Sequence, residues 1–230
     1  MTATPDGLRR SLPNALTIAR LVVAAAFFAT LSLTLRMGGD VEHAPGDRAL
    51  WGNIAIALFI LAASTDFLDG YLARKWQVVS VFGRIMDPFV DKVLVLGAFV
   101  YLGSPRFAAV DPLDPTAFTM QTGVATWMVV AILARELLVT SIRGVVEGMG
   151  KSFAAESMGK WKMVLQCIAI PVALCVAVNE PLLEAAWARI FRDALLWATL
   201  IVTIWSCFPY LTRAATLLRA ESADQKRAQP

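Results

Sequence analysis

The segment DFLDGYLARKWQVVSVFGRIMDPFVD, residues 66–91, decides the fold of this chain. It places four aspartates inside or beside long apolar runs, and ionised side chains in a membrane segment are costly and usually mark a functional site. Asp66 and Asp69 are three residues apart and Asp87 and Asp91 are four apart, so each pair shares one face of a helix. The segment therefore predicts two helices, joined by a short turn, that carry two pairs of carboxylates.

Small residues follow the same helical register as these aspartates. Gly70 and Ala73 each lie one turn beyond an aspartate, and Gly83 lies one turn before one. A helix face without bulk beside its carboxylates lets a large polar ligand approach closely. Arg74 ends the first helix with a fork of donors suited to phosphate. Several carboxylates suit a hard divalent cation such as Mg²⁺ or Mn²⁺, bound together with substrate phosphates.

The composition is typical of an α-helical membrane protein. Of the 230 residues 57% are hydrophobic, and the mean hydropathy is +0.61. A net charge of +3 is too small to argue for a nucleic-acid partner. Cys167, Cys175 and Cys207 all lie in apolar runs, which argues against a disulfide framework or a zinc site. His43 is interpreted as a solvated loop residue.

Six apolar stretches are long enough to cross a bilayer, which takes about 20 helical residues each. We predict an all-α integral membrane protein whose first span is a retained helix rather than a cleaved signal peptide. Residues 1–14 form a juxtamembrane segment, either a short interfacial helix or a frayed terminus, which Pro13-Asn14 separates from the six-helix domain at 15–218. Residues 219–230 form a polar tail. The spans are predicted at 15–35, 49–75, 83–103, 122–146, 160–178 and 190–218, with loops between them, including 104–120 and 179–187.

Basic residues are concentrated on one side of this arrangement. The positive-inside rule then places both termini and all four aspartates at the cytoplasmic face. We expect a bacterial inner membrane as the location, with the site open to the cytoplasm. The basic side holds Arg9, Arg10, Arg74, Lys75, Arg84, Arg143, Lys151, Lys160, Lys162, Arg213, Arg219, Lys226 and Arg227. The opposite side holds Arg36, Arg48, Arg106 and Arg189 among acidic residues, with Arg192 as a further candidate.

The residue types at this face predict a class of chemistry. Two acidic helix faces could hold two metal ions, which stabilise the attacking and the leaving oxygen of a displacement at phosphorus. One carboxylate can accept the proton of an attacking hydroxyl. These features indicate phosphoryl-type transfer between a lipid and a water-soluble partner, without naming either substrate.

The pattern D-x2-D-G-x2-A-R-x8-G-x3-D-x3-D, complete between Asp66 and Asp91, resembles the signature of the CDP-alcohol phosphotransferase family. The resemblance implies a six-helix membrane enzyme, usually a homodimer, that transfers a substituted phosphate from a CDP-linked donor to an alcohol and releases CMP. It implies that Asp91 is the general base and also lies near a metal. By the same pattern, the metal ligands are Asp66, Asp69, Asp87 and Asp91, and the donor-binding residues are Asp66, Gly70, Ala73, Arg74 and Gly83.

Three further stretches resemble bacterial-type phosphatidylglycerophosphate synthases. They are residues 12–20, residues 134–136 with Arg143, and residues 159–162 with Gln166. Met163 departs from this pattern, which commonly has threonine there. The resemblance implies CDP-diacylglycerol as donor and glycerol 3-phosphate as acceptor. The residues expected to hold the acceptor's phosphate are Arg143, Lys160, Arg135 and Arg20.

Two of these arginines have a second interpretation. Arg20 lies early in the first span, so it either snorkels to the interface, which its position slightly favours, or points into the polar site. Arg135 and Glu136 are adjacent on a helix and are expected to find partners elsewhere, in a structural or a functional role.

Other functions stay open at this point. Siblings of the same family would use inositol phosphate, serine, choline-type or phosphatidylglycerol acceptors. A cation transporter would place acids near the bilayer midplane or along its depth, whereas these cluster at one face. A membrane scaffold would not need small residues in register with acids.

Overall fold

The computed structural model of the chain is mostly helical, as the composition predicts. It describes residues 5–37, 45–76, 81–110, 118–149, 157–212 and 214–216. Within these ranges, side-chain positions are described for residues 15, 17–36, 46–65, 86, 88–109, 118–149, 161–212 and 214–216.

Six of the helices in these described ranges are long, and they follow one another along the chain. A 3₁₀ turn at Pro105–Phe107 and a hairpin of two short strands lie between the third and fourth helices. Helical turns continue after the last helix at 208–212 and 214–216. The elements are α1 (Pro5–Met37), α2 (Pro45–Trp76), α3 (Val81–Leu102), β1 (Ala108–Val110), β2 (Phe118–Met120), α4 (Thr126–Gly148), α5 (Ser157–Val178), the short α6 (Glu180–Glu184) and α7 (Ala186–Trp205).

Four helical segments of the described chain are long and apolar enough to cross a membrane. They match the first, second, fifth and sixth predicted spans. Helices α3 and α4 occupy the positions of the third and fourth, but both carry charged residues within their lengths. The four segments are Thr17–Arg36, Gly46–Thr65, Trp161–Val178 and Ala186–Thr216. An integral membrane protein is therefore supported, and six spans with cytoplasmic termini stay a prediction.

Helix α1 differs from the prediction at its start. It runs without a break from Pro5 to Met37, so residues 5–14 continue into the first span and Pro13-Asn14 does not separate them from it. A proline removes one backbone hydrogen bond from a helix, and membrane helices tolerate this loss where other groups satisfy the freed carbonyl.

The segment predicted as a loop at 104–120 contains a small sheet that the all-α prediction misses. Strands β1 and β2 are antiparallel, with Ala109 opposite Thr119. Buried Phe107 anchors the segment, and the backbone N–H of Gln121 donates to its carbonyl at 2.9 Å. Because backbone groups near a core need partners, the two strands pair with each other. Three residues per strand are too few to show alternation in the sequence.

The segment at 179–187, also predicted as a loop, contains the short helix α6. Asn179 precedes it, and Pro181 occupies its first turn, where the missing N–H has no helical partner to lose. The turn is too short to give an apolar period that sequence analysis could detect.

The core lies where α1, α2, α3 and α5 meet. Phe27 of α1 and Phe59 of α2 are buried, with ring centroids 5.4 Å apart. Helix α3 approaches α1 at Gly97, where a Cβ atom would lie 2.6 Å from Cζ of Phe28. The missing side chain at Gly97 therefore allows α3 to pack closely against α1.

Candidate active site

The four signature aspartates lie on the two helices that the sequence predicts. Asp66 and Asp69 belong to α2, and Asp87 and Asp91 belong to α3. Both helices are continuous through these positions, so each pair keeps the helical spacing that places it on one face. The side chains of Asp66, Asp69 and Asp87 lie outside the described residues, as do those of Gly70, Ala73, Arg74 and Gly83.

Asp91 is the signature aspartate whose surroundings the structure describes. Its carboxylate is partly buried and accepts a hydrogen bond from Nη1 of Arg20 at 3.2 Å. Arg20 is 1% exposed, so its side chain points into the helix bundle and does not snorkel to the interface. The snorkelling prediction is wrong because a carboxylate on α3 lies within reach of the guanidinium, and pairing the two charges offsets the cost of burying them.

A cavity of about 560 Å³ opens beside Asp91. Its walls come from α3, α4 and α5, with Tyr210 from the segment after α7. Cations outnumber acids among its charged lining residues, which are Asp91, Lys92, Arg135, Glu136, Arg143, Glu147 and Lys162. The structure thus brings Asp91, Arg135 and Arg143 to one cavity. Arg20 reaches this site through Asp91, and the side chain of Lys160 lies outside the described residues.

Arg135 contacts other groups of the protein through its Nη1 and Nη2, while its buried Nε has no hydrogen-bond partner among the described residues. Its Nη1 donates to Oε1 of Glu136 at 2.9 Å, and its Nη2 donates to Oγ of Ser206 at 2.8 Å. The guanidinium lies 5.8 Å from the centroid of the Tyr210 ring. The expectation that Arg135 and Glu136 find partners elsewhere is therefore wrong in part, because two long side chains on adjacent positions can bend to meet. These contacts join α4 to the segment that follows α7 and indicate a structural role for Arg135.

Glu136 also neutralises Lys162. The Lys162 ammonium, on α5, forms an ion pair with the same oxygen, Oε1, that accepts from Arg135. One buried carboxylate thus offsets two cations from two helices. Burying charges is affordable when they are paired and hydrogen-bonded in this way.

Two cavity cations have no such carboxylate. Arg143 has no hydrogen-bond or ion-pair partner among the described residues, and its buried Nε is unsatisfied. Lys92 donates to a neutral group, Oγ1 of Thr140. Both side chains are half-buried. A cation partly withdrawn from water without a counter-ion is costly, so these two positions favour the binding of an anion.

Several cavity residues were not among the predicted site residues. Lys92, which follows Asp91 directly in the sequence, is one of them. A signal for the α4 wall was present in the sequence, since polar residues recur there at intervals of four, three and four, which places them on one helix face. These residues are Glu136, Thr140, Arg143 and Glu147.

The sequence itself matches a known family. The family model for CDP-alcohol phosphatidyltransferase matches residues 10–205, which include most of α1 and all of the helices from α2 to α7. The chain belongs to the CDP-alcohol phosphatidyltransferase family. It is therefore an enzyme of the transferase class.

Three curated relatives illustrate the similarity. A CDP-diacylglycerol–glycerol-3-phosphate 3-phosphatidyltransferase of Bacillus subtilis is 32% identical over 205 residues, which cover 88% of this chain and 94% of the relative. A protein of the same name from Haemophilus influenzae is 28% identical, covering 89% of this chain and 93% of the relative. A cardiolipin synthase (CMP-forming) from rice is 28% identical, covering 90% of this chain and 58% of the relative.

Members of the CDP-alcohol phosphatidyltransferase family generally use a divalent metal. Among the side chains that the structure describes, no group of three metal-ligating residues lies close together. Those side chains include that of Asp91 but not those of Asp66, Asp69 and Asp87. The donor chemistry of the signature fits such an ion, since four carboxylates on two adjoining helices supply the oxygen ligands that Mg²⁺ and Mn²⁺ prefer.

Proposed function

We propose that this protein transfers a phosphatidyl group from CDP-diacylglycerol to glycerol 3-phosphate, giving phosphatidylglycerophosphate and CMP. The observation that carries the proposal is the cavity, in which Asp91 and the unpaired cation of Arg143 line one space. An acceptor with a hydroxyl at one end and a phosphate at the other matches that pair of groups. The names of the bacterial relatives support the same two substrates.

In this mechanism Asp91 acts on the acceptor's primary hydroxyl. Its carboxylate accepts the hydroxyl proton, and the oxygen forms a bond to the phosphorus that carries the diacylglycerol. The bond between that phosphorus and the bridging oxygen breaks, and CMP leaves with that oxygen. The hydrogen bond from Arg20 keeps the Asp91 carboxylate in place for this proton transfer.

The acceptor's phosphate is bound by cations of the cavity. Arg143 has its donors available for this, and Lys160 is a second candidate from the predicted set. Arg135 positions other residues of the site and does not bind the substrate in this mechanism, because its described contacts are with Glu136, Ser206 and Tyr210. This assignment retains the predicted chemistry and moves Arg135 from binding to positioning.

The donor and its metal belong to the signature. Asp66, Asp69, Asp87 and Asp91 would hold the divalent ions, which supply Lewis-acid polarisation of the donor's pyrophosphate. Gly70, Ala73 and Gly83 would leave room for the cytidine nucleotide and Arg74 would bind donor phosphate. Six spans, a homodimer and a cytoplasm-facing site in a bacterial inner membrane complete the proposal.

The test is product formation by purified protein in detergent with CDP-diacylglycerol, Mg²⁺ or Mn²⁺ and a panel of labelled acceptors. The panel holds glycerol 3-phosphate, inositol phosphate, inositol, serine and phosphatidylglycerol. We expect metal-dependent CMP release with glycerol 3-phosphate alone. Turnover with phosphatidylglycerol instead would favour the activity of the rice relative and discard the proposed acceptor.

The role of Asp91 is tested in the same assay with Asp91→Asn. We expect kcat to fall about 1,000-fold, the scale of a lost general base. Asp193→Asn is the matched control, because Asp193 pairs with Arg192 outside the cavity. A kcat that changes equally little in both variants would contradict the assignment of Asp91 as base.

A further inference from the structure

Lys92 is a cation whose contacts the proposed mechanism leaves unexplained. It lines the cavity immediately after Asp91 in α3. Within the part of the chain whose side chains are described, its one hydrogen-bond partner is the hydroxyl of Thr140, and no carboxylate pairs with it. Lys162, across the same cavity, has Glu136 as its counter-ion. Lys92 therefore carries a positive charge that the described protein groups leave uncompensated.

The hydroxyl of Thr140 has a fixed orientation. It donates its hydrogen to the backbone carbonyl of Glu136, one turn earlier in α4, at 2.7 Å. Its oxygen lone pairs are thus directed away from that carbonyl, and one of them accepts from Lys92. An ammonium has three hydrogens, so two stay available after this bond. Thr140 therefore holds the Lys92 ammonium at the cavity wall with donors to spare.

We propose that Lys92, positioned by Thr140, is a specificity-determining residue that binds the acceptor's phosphate. The inference rests on the proposed function, which supplies a phosphorylated acceptor. A phosphate monoester carries about −1.5 to −2 charges at neutral pH. Lys92 and Arg143 are the two cavity cations without a carboxylate partner among the described residues, so together they match that charge.

The position of Lys92 also explains how the enzyme would select an acceptor by the separation of its hydroxyl and its phosphate. Because Asp91 and Lys92 are consecutive in one helix, the proton-accepting group and the phosphate-binding group are held at a fixed offset by the backbone. A small acceptor that satisfies both must carry its hydroxyl and its phosphate a few bonds apart. Acceptors without phosphate lose the Lys92 contact and are discriminated against.

The first experiment is Lys92→Met, which keeps an unbranched side chain and removes the charge. We expect the KM for glycerol 3-phosphate to rise about 100-fold, since hydrogen bonds to charged groups are among the strongest that proteins make. The KM for CDP-diacylglycerol stays the same. Calorimetric titration with glycerol 3-phosphate gives the same loss without turnover, so the result does not depend on which acceptor the assay favours.

The positioning role is tested with Thr140→Val and Thr140→Ser. We expect the valine variant to raise the KM for glycerol 3-phosphate about tenfold while kcat changes little, and the serine variant, which restores the hydroxyl, to behave like the wild type. Thr199→Val is the matched control, because Thr199 also donates to a carbonyl one turn earlier, at 2.7 Å, but does not line the cavity.

The outcomes separate this inference from the proposed function. Wild-type CMP release with glycerol 3-phosphate, together with an unchanged KM in Lys92→Met and Thr140→Val, overturns the inference and leaves the function standing. Absent CMP release from wild type overturns the function, and calorimetry then decides the inference alone. A KM rise in Thr199→Val equal to that in Thr140→Val reduces Thr140 to a structural role and overturns its part.

Discussion

Two regions of this protein each hold a buried arginine, Arg135 in one and Arg192 in the other, and the surroundings of the two differ. The first region is the cavity cluster, formed by Lys92, Arg135, Glu136, Thr140, Arg143 and Lys162. The second is the hairpin cluster, formed by Arg48, Phe107, Gln121, Arg192 and Asp193 beside β1 and β2. Both regions bring cations into the protein, but the first lines the cavity beside Asp91 and the second does not.

In the hairpin cluster the arginines bind the protein itself. Arg192 donates from Nη1 to the carbonyl of Gln121 at 2.5 Å and from Nε to Asp193 at 2.8 Å. Arg48 donates to Oε1 of the same glutamine at 2.8 Å and lies 5.3 Å from the centroid of the Phe107 ring, with its Nε unsatisfied. Gly123 adopts φ +72° in this packing, where a Cβ atom would lie 2.6 Å from Asp193.

The comparison teaches how to separate a structural arginine from a ligand-binding one. Both residues are arginines, but Arg192 is buried and Arg143 is half-buried. The Nη1 and Nε donors of Arg192 have acceptors in the protein, whereas Arg143 faces a cavity and has no acceptor among the described residues. Arg135 lies in the cavity cluster, but like Arg192 it donates hydrogen bonds to protein groups, and these join α4 to the segment after α7.

The largest expected effect tests directly whether Arg143 binds a ligand while Arg192 is structural. Arg143→Gln should raise the KM for glycerol 3-phosphate about 100-fold, because a charge-assisted contact to phosphate is lost, and should leave the melting temperature in detergent unchanged. Arg192→Gln should do the reverse. It leaves the Gln121 carbonyl without its donor, which costs about 1–3 kcal/mol of stability, and it keeps the KM.

Steady-state kinetics and thermal unfolding of both variants measure this pair of effects. A melting temperature that falls for Arg143→Gln while its KM stays constant would show that Arg143 is structural after all. A raised KM with an unchanged melting temperature for Arg192→Gln would place a ligand site at the hairpin cluster.

A smaller effect is expected at Arg20, which contacts the proposed base. Arg20→Gln removes the charge paired with Asp91, so we expect kcat to fall about tenfold, as for a lost charge-assisted hydrogen bond, with the KM for glycerol 3-phosphate little changed. Arg36→Gln is the control, since Arg36 lies in the last turn of the same helix and is exposed. A raised acceptor KM with normal kcat would instead assign Arg20 to the acceptor's phosphate, as the sequence predicts.

The smallest effect concerns the packing that brings α1 to α3. Gly97→Ala places a methyl group 2.6 Å from the Phe28 ring, and overpacking of this kind costs about 1–3 kcal/mol of stability. Gly144→Ala in α4 meets nothing within 4 Å and should stabilise its helix by about 0.5–1 kcal/mol.

Unfolding in detergent compares the two alanine variants. If Gly97→Ala also lowers kcat, close contact between α1 and α3 matters to Asp91 and not only to stability. Equal melting temperatures for both variants would argue that the Phe28 ring moves aside freely.

Much of the site could be predicted because its spacing is helical. The carboxylates at 66, 69, 87 and 91 fall on two helices because a period of 3.6 residues and long apolar runs leave few alternatives. The family follows from the same positions. Their metal and nucleotide contacts stay predictions, since these side chains, apart from that of Asp91, lie outside the described residues.

What sequence analysis missed depends on contacts between distant residues. Arg20 contacts a carboxylate 71 positions away, and no local sequence pattern predicts that contact. The hairpin forms because Phe107 is anchored in the core. Strands of three residues are too short to show an alternating pattern from which the hairpin could be predicted. Lys92 follows Asp91 in the sequence, but adjacent positions on a helix point in different directions, and its contact is with Thr140 on another helix.

The ion pair between Arg20 and Asp91 has a consequence for how the protein enters the membrane. Arg20 is synthesised 71 residues before its counter-ion. At about 5–20 residues per second, this leaves α1 without that partner for roughly 4–14 s. During that interval we expect Arg20 to extend towards the interface, since it lies only three residues inside its span at Thr17–Arg36. The arrival of α3 then draws the side chain inwards, so biogenesis of the first helix is completed only when the helix that carries the base has been made.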